Sequence, residues 1–107
     1  MDKYNVNITD TAFEDLASIT LYIKDELKEP VVAEKLITKI KEGIFSLDIL
    51  PCRHGLVRDK MLSKQGYRPL YVENYIIFYI VTEETKRVDI SRVLYSRRNW
   101  VNILDLS

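Results

Sequence analysis

The sequence predicts an α+β domain of two layers, in which a hairpin of helices packs against an antiparallel sheet. Three observations lead to this fold class. Residues 4–8 alternate in polarity, residues 12–47 repeat apolar types at steps of three and four, and residues 67–95 hold three segments rich in β-branched and aromatic residues. The resulting order is strand, helix, helix, three-stranded meander and short final helix, which is typical of an α+β domain.

The whole chain, residues 1–107, is predicted to form one domain. It has 47% apolar and 30% charged residues, a composition typical of folded globular proteins. Its length is sufficient for one hydrophobic core and too short for two. We find no internal repeat and no low-complexity segment.

The first half predicts a strand followed by the helix hairpin. The alternation from Tyr4 to Ile8 indicates the strand, and Thr11 with Glu14 has the spacing of a capping box at the start of a helix. That helix is expected to run to about Lys28, because its apolar stripe continues through Ala12, Leu16, Ile19, Ile23 and Leu27.

A second helix is expected from Pro30, a residue that suits a first helical turn, to Pro51, which stops it. Its stripe consists of Ala33, Leu36, Ile37, Ile40, Ile44 and Leu47.

The second half predicts a basic, mobile loop and then the meander. The loop spans residues 51–66, and strands are expected at 67–72, 75–81 and 88–95, with turns at 73–74 and 83–86. The middle strand is apolar on both faces, so we expect it inside the sheet, with the hairpin on one face and polar residues of its neighbours lining the other. Residues 98–104 are expected to form the final helix.

Charge is distributed unevenly along the chain, although the formal net charge is zero. Residues 1–51 hold six lysines against ten acidic residues, whereas residues 52–107 hold ten basic residues against six acidic ones, and every arginine lies at or beyond Arg53. Guanidinium groups pair with phosphates and stack on bases, so arginines interleaved with tyrosines on predicted strands suggest an anionic partner.

Cofactor chemistry is not indicated. Cys52 is the only cysteine and His54 the only histidine, so we expect no disulfide, no zinc site and no other metal or cofactor. His54 is either an acid or base or a solvated loop residue, and Cys52 is a packing residue. The N-terminal residues contain no apolar signal core, which leads us to expect a cytoplasmic protein with no membrane partner.

The order of elements and several short motifs resemble the RelE/ParE superfamily of toxins from type II toxin–antitoxin systems. The motifs are Gly66-Tyr67-Arg68, Asn74-Tyr75, Phe78-Tyr79, Arg92-Val93-Leu94-Tyr95 and Arg97-Arg98. The resemblance covers nearly the whole chain. It implies a toxin that arrests growth and is neutralised by a cognate protein antitoxin, with exposed apolar surface on the helix hairpin as the docking site.

In the RelE-like branch the resemblance implies a ribosome-dependent endoribonuclease acting on messenger RNA without a metal. Attack by the ribose 2′-hydroxyl needs cations around the phosphate and groups that move protons. The resemblance assigns Arg68 and Arg92 to phosphate stabilisation and Tyr95 to proton transfer or base stacking. Target-binding cations would be Lys60, Lys64, Arg97 and Arg98.

In the ParE-like branch the implied target is DNA gyrase, and binding without chemistry suffices. A third alternative is an inactive toxin homologue that acts only within an antitoxin complex. We rank messenger RNA cleavage first, because Arg68, Arg92 and Tyr95 fall where a nuclease would need cations and a proton donor.

Structural roles for the same residues stay open at this stage. Arg68 and Arg92 are also candidates for ion pairs with Glu73 or Asp89. On a strand with regular alternation, Arg92 would lie on the same face as the apolar residues Val88, Ile90 and Leu94. The tyrosines of the strands are candidates for sheet packing.

Overall fold

The computed structural model describes residues 3–105. Within that range the strands are β1 (Asn5–Ile8), β2 (Arg68–Val72), β3 (Tyr75–Thr82) and β4 (Arg87–Tyr95). The α-helices are α1 (Asp10–Leu21), α2 (Pro30–Phe45), α3 (Lys60–Lys64) and α4 (Trp100–Asp105). A π-helical turn at Tyr22–Glu26 extends α1, and short 3₁₀ turns lie at Ser46–Asp48 and Pro51–Arg53. This order confirms the predicted α+β fold class.

The strands form one sheet in the order β1-β4-β3-β2. The pairs β2–β3 and β3–β4 are antiparallel, as the meander predicts, whereas β1 pairs in parallel with β4. The middle strand of the meander therefore lies inside the sheet, as predicted, and β4 is equally interior over the residues where β1 covers it.

Helix α1 begins earlier than the sequence suggested. Thr9 is the N-cap, because its hydroxyl accepts the backbone N–H of Ala12, so the capping-box assignment to Thr11 and Glu14 was wrong. The α-helical geometry also ends at Leu21, seven residues before the predicted end, and continues as the π-helical turn. Pro30 occupies the first turn of α2, as predicted.

The main core lies between the helix hairpin and one face of the sheet. In this core, apolar residues of the predicted helix stripes pack against the inward-facing residues of β3 and β4, and all the residues of the cluster are buried. The cluster consists of Ala12, Leu16, Ile40, Ile44, Leu47, Ile77, Tyr79, Val88, Ile90 and Val93.

The opposite face of the sheet carries a second, smaller core, so the prediction that polar residues line it was wrong. The segment predicted as a mobile loop covers this face together with α4. Asp59 caps α3 by accepting the backbone N–H of Leu62, and the backbone N–H of Val57 donates to the carbonyl of Tyr67. The cluster consists of Val57, Leu62, Tyr67, Ile76, Phe78, Leu94 and Leu104.

A β-bulge in β4 changes which residues share a face. Phe78 pairs with Arg92 and Tyr79 pairs with Ile90, which leaves Ser91 without a partner residue on β3. Ile90 and Val93 consequently join the main core, whereas Leu94 joins the second one. Arg92 therefore stays in phase with Leu94, as expected, but the expectation that it shares a face with Val88 and Ile90 was wrong.

Candidate functional site

Arg92 is held by an ion pair with Asp15 of α1. Its Nε lies 2.7 Å from Oδ2 of Asp15 and its second guanidinium nitrogen, Nη2, lies 2.8 Å from Oδ1. The same Oδ2 accepts the backbone N–H of Val93 at 3.0 Å. The side chains are only 17% and 13% exposed, and the hydrogen bonds to Asp15 raise the pKa of Arg92.

The ion pair arises because β1 ends before β4 does. β1 covers β4 only as far as Ile90, and α1 then lies along the uncovered edge. There Thr9 donates to the carbonyl of Ile90, and Asp15 accepts from Val93. The two acids considered from the sequence have other partners, since Asp89 pairs with Arg87 and Glu73 with Lys39.

Arg68 ties the start of β2 to the segment that precedes α3. One guanidinium N–H donates to the backbone carbonyl of His54 at 2.6 Å. Tyr79, its neighbour on β3, donates its hydroxyl to the carbonyl of Pro51 at 2.7 Å. Burial raises the pKa of Tyr79 to about 12, even though the guanidinium groups of Arg68 and Arg53 oppose the rise.

Tyr95 lies at the other end of the sheet. It pairs with Tyr75, and the two rings meet edge to face at a centroid distance of 5.6 Å. Tyr75 precedes Tyr79 by four residues on β3, a distance of about 13 Å along a strand. Because Arg68 pairs with Tyr79 and Tyr95 with Tyr75, the structure does not bring these two predicted catalytic residues together.

The four predicted target-binding cations also occupy different surfaces. Lys60 and Lys64 lie on α3, against the second core, whereas Arg98 borders a groove on the hairpin side of the sheet. Arg97 is exposed in the turn before α4. Among the described residues none of these four side chains has a hydrogen-bond or ion-pair partner, so their charges remain available to a ligand.

The hairpin groove, as we call it, is an open concavity on the hairpin side of the sheet. It measures about 1010 Å³ and lies between α1 with its π-helical turn, α2, the β2–β3 turn and the end of β4. Ile19, Leu36 and Val93 supply apolar lining, and Lys35 and Arg98 add cations. Lys39 and Glu73, 2.6 Å apart, form an ion pair at the same groove.

The second concavity, the loop cleft, lies on the opposite face of the sheet and measures about 580 Å³. Its lining includes Arg53, His54, Arg58, Tyr71, Phe78 and Trp100, and within residues 3–105 no acidic residue lines it.

His54 in the loop cleft is held in an environment that disfavours its charged form. Burial and, secondarily, the neighbouring Arg53 lower the pKa of His54. Its Nε2 is buried and has no hydrogen-bond partner among the described residues.

Sequence reasoning missed Asp15, Tyr71 and Trp100. For Asp15 a signal was present, because it lies three residues after Ala12 and four before Ile19, inside the apolar stripe of α1. A carboxylate among buried positions is rarely left without a cation. No comparable signal marked Tyr71 or Trp100, since their position depends on how the 51–66 segment folds back over the sheet.

Among residues 3–105, no group of three or more His, Cys, Asp and Glu side chains is arranged to hold a metal ion. None of the helices in that range has the length and apolar character needed to cross a bilayer. Cys52 donates its thiol to Glu83 at 3.4 Å, and burial, together with that bond, raises the pKa of the thiol.

Comparison with known proteins identifies related sequences and folds. The family described as "ParE toxin of type II toxin-antitoxin system, parDE" matches residues 6–100. No curated protein sequence matches the chain.

Two similar solved structures are toxin–antitoxin complexes. One is the RelBE2 complex from Mycobacterium tuberculosis, with 23% identity, a TM-score of 0.67, and 89% of this chain and 93% of that chain covered. The other is the chromosomal ParDE system from P. aeruginosa, with 21% identity, a TM-score of 0.71, and 87% of this chain and 96% of that chain covered. At these identities the two likenesses establish the fold.

Proposed function

The chain belongs to the ParE toxin family of type II toxin–antitoxin systems, within the RelE/ParE superfamily, and we propose that it arrests growth by binding DNA gyrase without cutting nucleic acid itself. It would act in the cytoplasm and be neutralised there by a protein antitoxin. This proposal places gyrase binding first, whereas the sequence alone favoured messenger RNA cleavage.

The observation that carries the proposal is the state of the three predicted catalytic residues. Two guanidinium nitrogens of Arg92 already donate to the carboxylate oxygens of Asp15, at 2.7 and 2.8 Å. Arg68 and Tyr95 pair with residues at opposite ends of β3. Cleavage of a phosphodiester requires cations and proton-transferring groups within hydrogen-bond reach of the same phosphate, and this arrangement does not supply them.

The family match and the charge support the same target. The match extends over residues 6–100 and names ParE toxins. The net charge of zero favours a protein surface as the docking partner, because affinity for an RNA-rich particle grows with the number of phosphates that a protein neutralises.

The hairpin groove is our proposed docking surface for the antitoxin. Both similar structures are complexes of a toxin with its antitoxin. Exposed apolar side chains continue the groove onto the tip of the hairpin, including Tyr22, Leu27 and Val32. An amphipathic antitoxin segment would bury these side chains, and acidic residues on it would meet Lys35 and Arg98.

Ribosome-dependent RNA cleavage is the second candidate, and one observation favours it. Five of the ten basic residues of the second half lie in the 51–68 region. They are Arg53, Arg58, Lys60, Lys64 and Arg68. For this activity Arg92 would have to leave Asp15 when RNA binds.

The experiment adds the purified toxin to two reconstituted systems. In the first, gyrase acts on supercoiled plasmid and linearised DNA is scored. In the second, a translation mixture is followed by primer extension on the messenger RNA. We expect linear plasmid with gyrase and no new RNA ends. Cuts within ribosome-bound codons, without any effect on gyrase, would overturn the proposal in favour of the second candidate. Each assay is repeated with the cognate antitoxin, which should abolish the effect.

A further inference from the structure

The outward face of α2 carries a row of exposed side chains that contains two large apolar residues. Val31, Thr38 and Phe45 form this row, which we call the α2 stripe, and Val31 and Phe45 are 61% and 54% exposed. We propose that the α2 stripe packs against the α2 stripe of a second copy in antiparallel orientation, so that the toxin without its antitoxin forms a symmetric dimer. The inference concerns the toxin alone, so it holds or fails independently of whether gyrase is the target.

The α2 stripe results from a repeat of seven residues within a helix of 16 residues. Seven residues amount to nearly two turns, so successive members of the stripe differ by only about 20° around the helix. The hydroxyl of Thr38 donates to the carbonyl of Glu34 at 2.9 Å. Burying Thr38 against another helix therefore leaves no unsatisfied donor in the contact.

Charged residues flank the α2 stripe in a pattern that does not pair within one helix. Glu34 and Lys41 lie about 40° and 60° to one side of Thr38, and Lys35 and Glu42 lie about 60° and 40° to the other. The two members of each pair are seven residues apart, whereas ion pairs within a helix join residues three or four apart. All four are exposed, and none of their side chains forms an ion pair or a hydrogen bond within residues 3–105.

An antiparallel pair of α2 helices brings the two stripes into register. A two-fold axis that passes beside Thr38 places residues equally far before and after it opposite each other. Val31 and Phe45 are each seven residues from Thr38, so the smaller side chain of one copy meets the larger one of the other. In a parallel pair Phe45 would meet its own equivalent, and the like-charged ends of the two helix dipoles would lie side by side.

The same arrangement pairs the flanking charges between the copies. Glu34 precedes Thr38 by four residues and Lys41 follows it by three, so on the two copies they face each other with an axial offset of about 1.5 Å. Lys35 and Glu42 are related in the same way on the other side of the stripe. Because the two-fold axis repeats each contact, the dimer contains four Glu–Lys pairs. This charge complementarity is what identifies a second copy of the chain as the occupant of the face.

The contact is small and leaves the hairpin groove open. Val32 and Leu36, which line the groove, lie about 120° and 160° around α2 from Thr38. Lys35 lies between the two surfaces and also lines the groove. One pair of helices buries less than the roughly 800 Å² per partner of a standard interface, so we expect a weak dimer that forms as concentration rises.

Sedimentation velocity of the purified toxin measures this association directly. The protein is run from about 10 μM to about 1 mM, a range in which weak dimers dissociate. We expect the weight-average mass to rise with concentration from 12.6 kDa toward twice that value. Phe45→Asp should weaken dimerisation about tenfold or more, because it places a carboxylate in both halves of the apolar contact.

Reversal of the charges tests the orientation. Glu34→Lys places a lysine opposite Lys41 of the other copy and should weaken dimerisation about tenfold or more, and Lys41→Glu should do the same with two glutamates. The double variant with both substitutions has opposite charges facing each other again and a net charge of zero, so it should dimerise as the unaltered toxin does. Glu84→Lys makes the same change of charge at an exposed position in the β3–β4 turn and should have no effect.

Three results would overturn the inference. One is a toxin whose mass stays that of the monomer up to the highest concentration. Another is a double variant as weak as the single ones, because Glu34 and Lys41 would then not face each other across a two-fold axis. The third is a monomeric toxin whose Phe45→Asp variant binds the cognate antitoxin more weakly, which would assign the α2 stripe to the antitoxin.

Discussion

Asp15 and Arg92 are joined by two hydrogen bonds across the edge of β4 that β1 leaves uncovered. The carboxylate also accepts the backbone N–H of Val93, so it satisfies an edge donor that a neighbouring strand would otherwise pair. This makes the pair a structural joint between helix and sheet that engages the guanidinium of Arg92.

Asp15→Ala should destabilise the toxin by about 3 kcal/mol, because it leaves a guanidinium and a backbone N–H without their partner in a largely buried place. The measurement is the shift of the urea midpoint at neutral pH. The control is Lys39→Ala, which breaks the Lys39–Glu73 pair; because these side chains are 59% and 51% exposed, the urea midpoint should shift far less than for Asp15→Ala. Equal shifts for the two variants would contradict the structural role of Asp15.

Tyr79 should make the protein sensitive to alkali. Its pKa is about 12 in the folded state against 10.0 as the ordinary value, so the unfolded chain loses this proton first as pH rises. The stabilisation is therefore complete below pH 10 and is lost as pH rises toward 12, by an amount on the order of 2 to 3 kcal/mol.

Tyr79→Phe isolates this contribution. The variant should be less stable at neutral pH by about 1 to 3 kcal/mol, because the carbonyl of Pro51 loses its donor, and it should lose less stability than the unaltered protein between pH 9.5 and 11.5. Urea midpoints across that range provide the test. Tyr71→Phe serves as the control, since this side chain is exposed, and an identical pH dependence of all three proteins would refute the assignment.

Val32→Asp should weaken antitoxin binding about 30-fold or more, the effect of losing a central apolar contact. Val32 is half exposed and lines the hairpin groove near the start of α2, where a carboxylate does not oppose the helix dipole. Isothermal titration with the cognate antitoxin measures the change. Phe45→Asp, on the same helix, similarly exposed and outside the groove, should leave the affinity unaltered, and an equal loss in both would argue against the groove.

Tyr95→Phe should leave gyrase-dependent plasmid linearisation within about twofold of the unaltered toxin, because docking onto a protein seldom depends on one rim hydroxyl. A nuclease that uses this hydroxyl for proton transfer would instead lose about 100-fold or more. Quantitative gel analysis and primer extension on the same preparations distinguish the two. Near-ultraviolet circular dichroism of the variant confirms that the Tyr75–Tyr95 contact region has kept its fold.

The element order was predictable from the sequence because each helix and strand carries its own period. Ala12 and Leu16 mark the buried side of α1, and the apolar run of β3 marks an interior strand. Such signals are local, since each depends on residues within one or two turns or on alternate positions of one strand.

Features that depend on distant contacts were not predictable in the same way. Asp15 and Arg92 are 77 positions apart, and no acid close to Arg92 in sequence identifies the true partner. The bulge at Ser91 was equally hidden, because one extra residue does not alter composition yet places Ile90 and Val93, three positions apart, on the same face. The second core escaped prediction because Leu62 is buried only once the basic segment folds over the sheet.

The parallel pairing of β1 with β4 has a consequence for synthesis of the toxin in the cell. Asn7 and Asp89 meet across this pair and are 82 positions apart, so β1 must wait for its partner strand while the ribosome adds most of the chain. At translation rates of roughly 5 to 20 residues per second, that delay is about 4 to 16 seconds. The four-stranded sheet is therefore complete only when nearly the whole chain has been made.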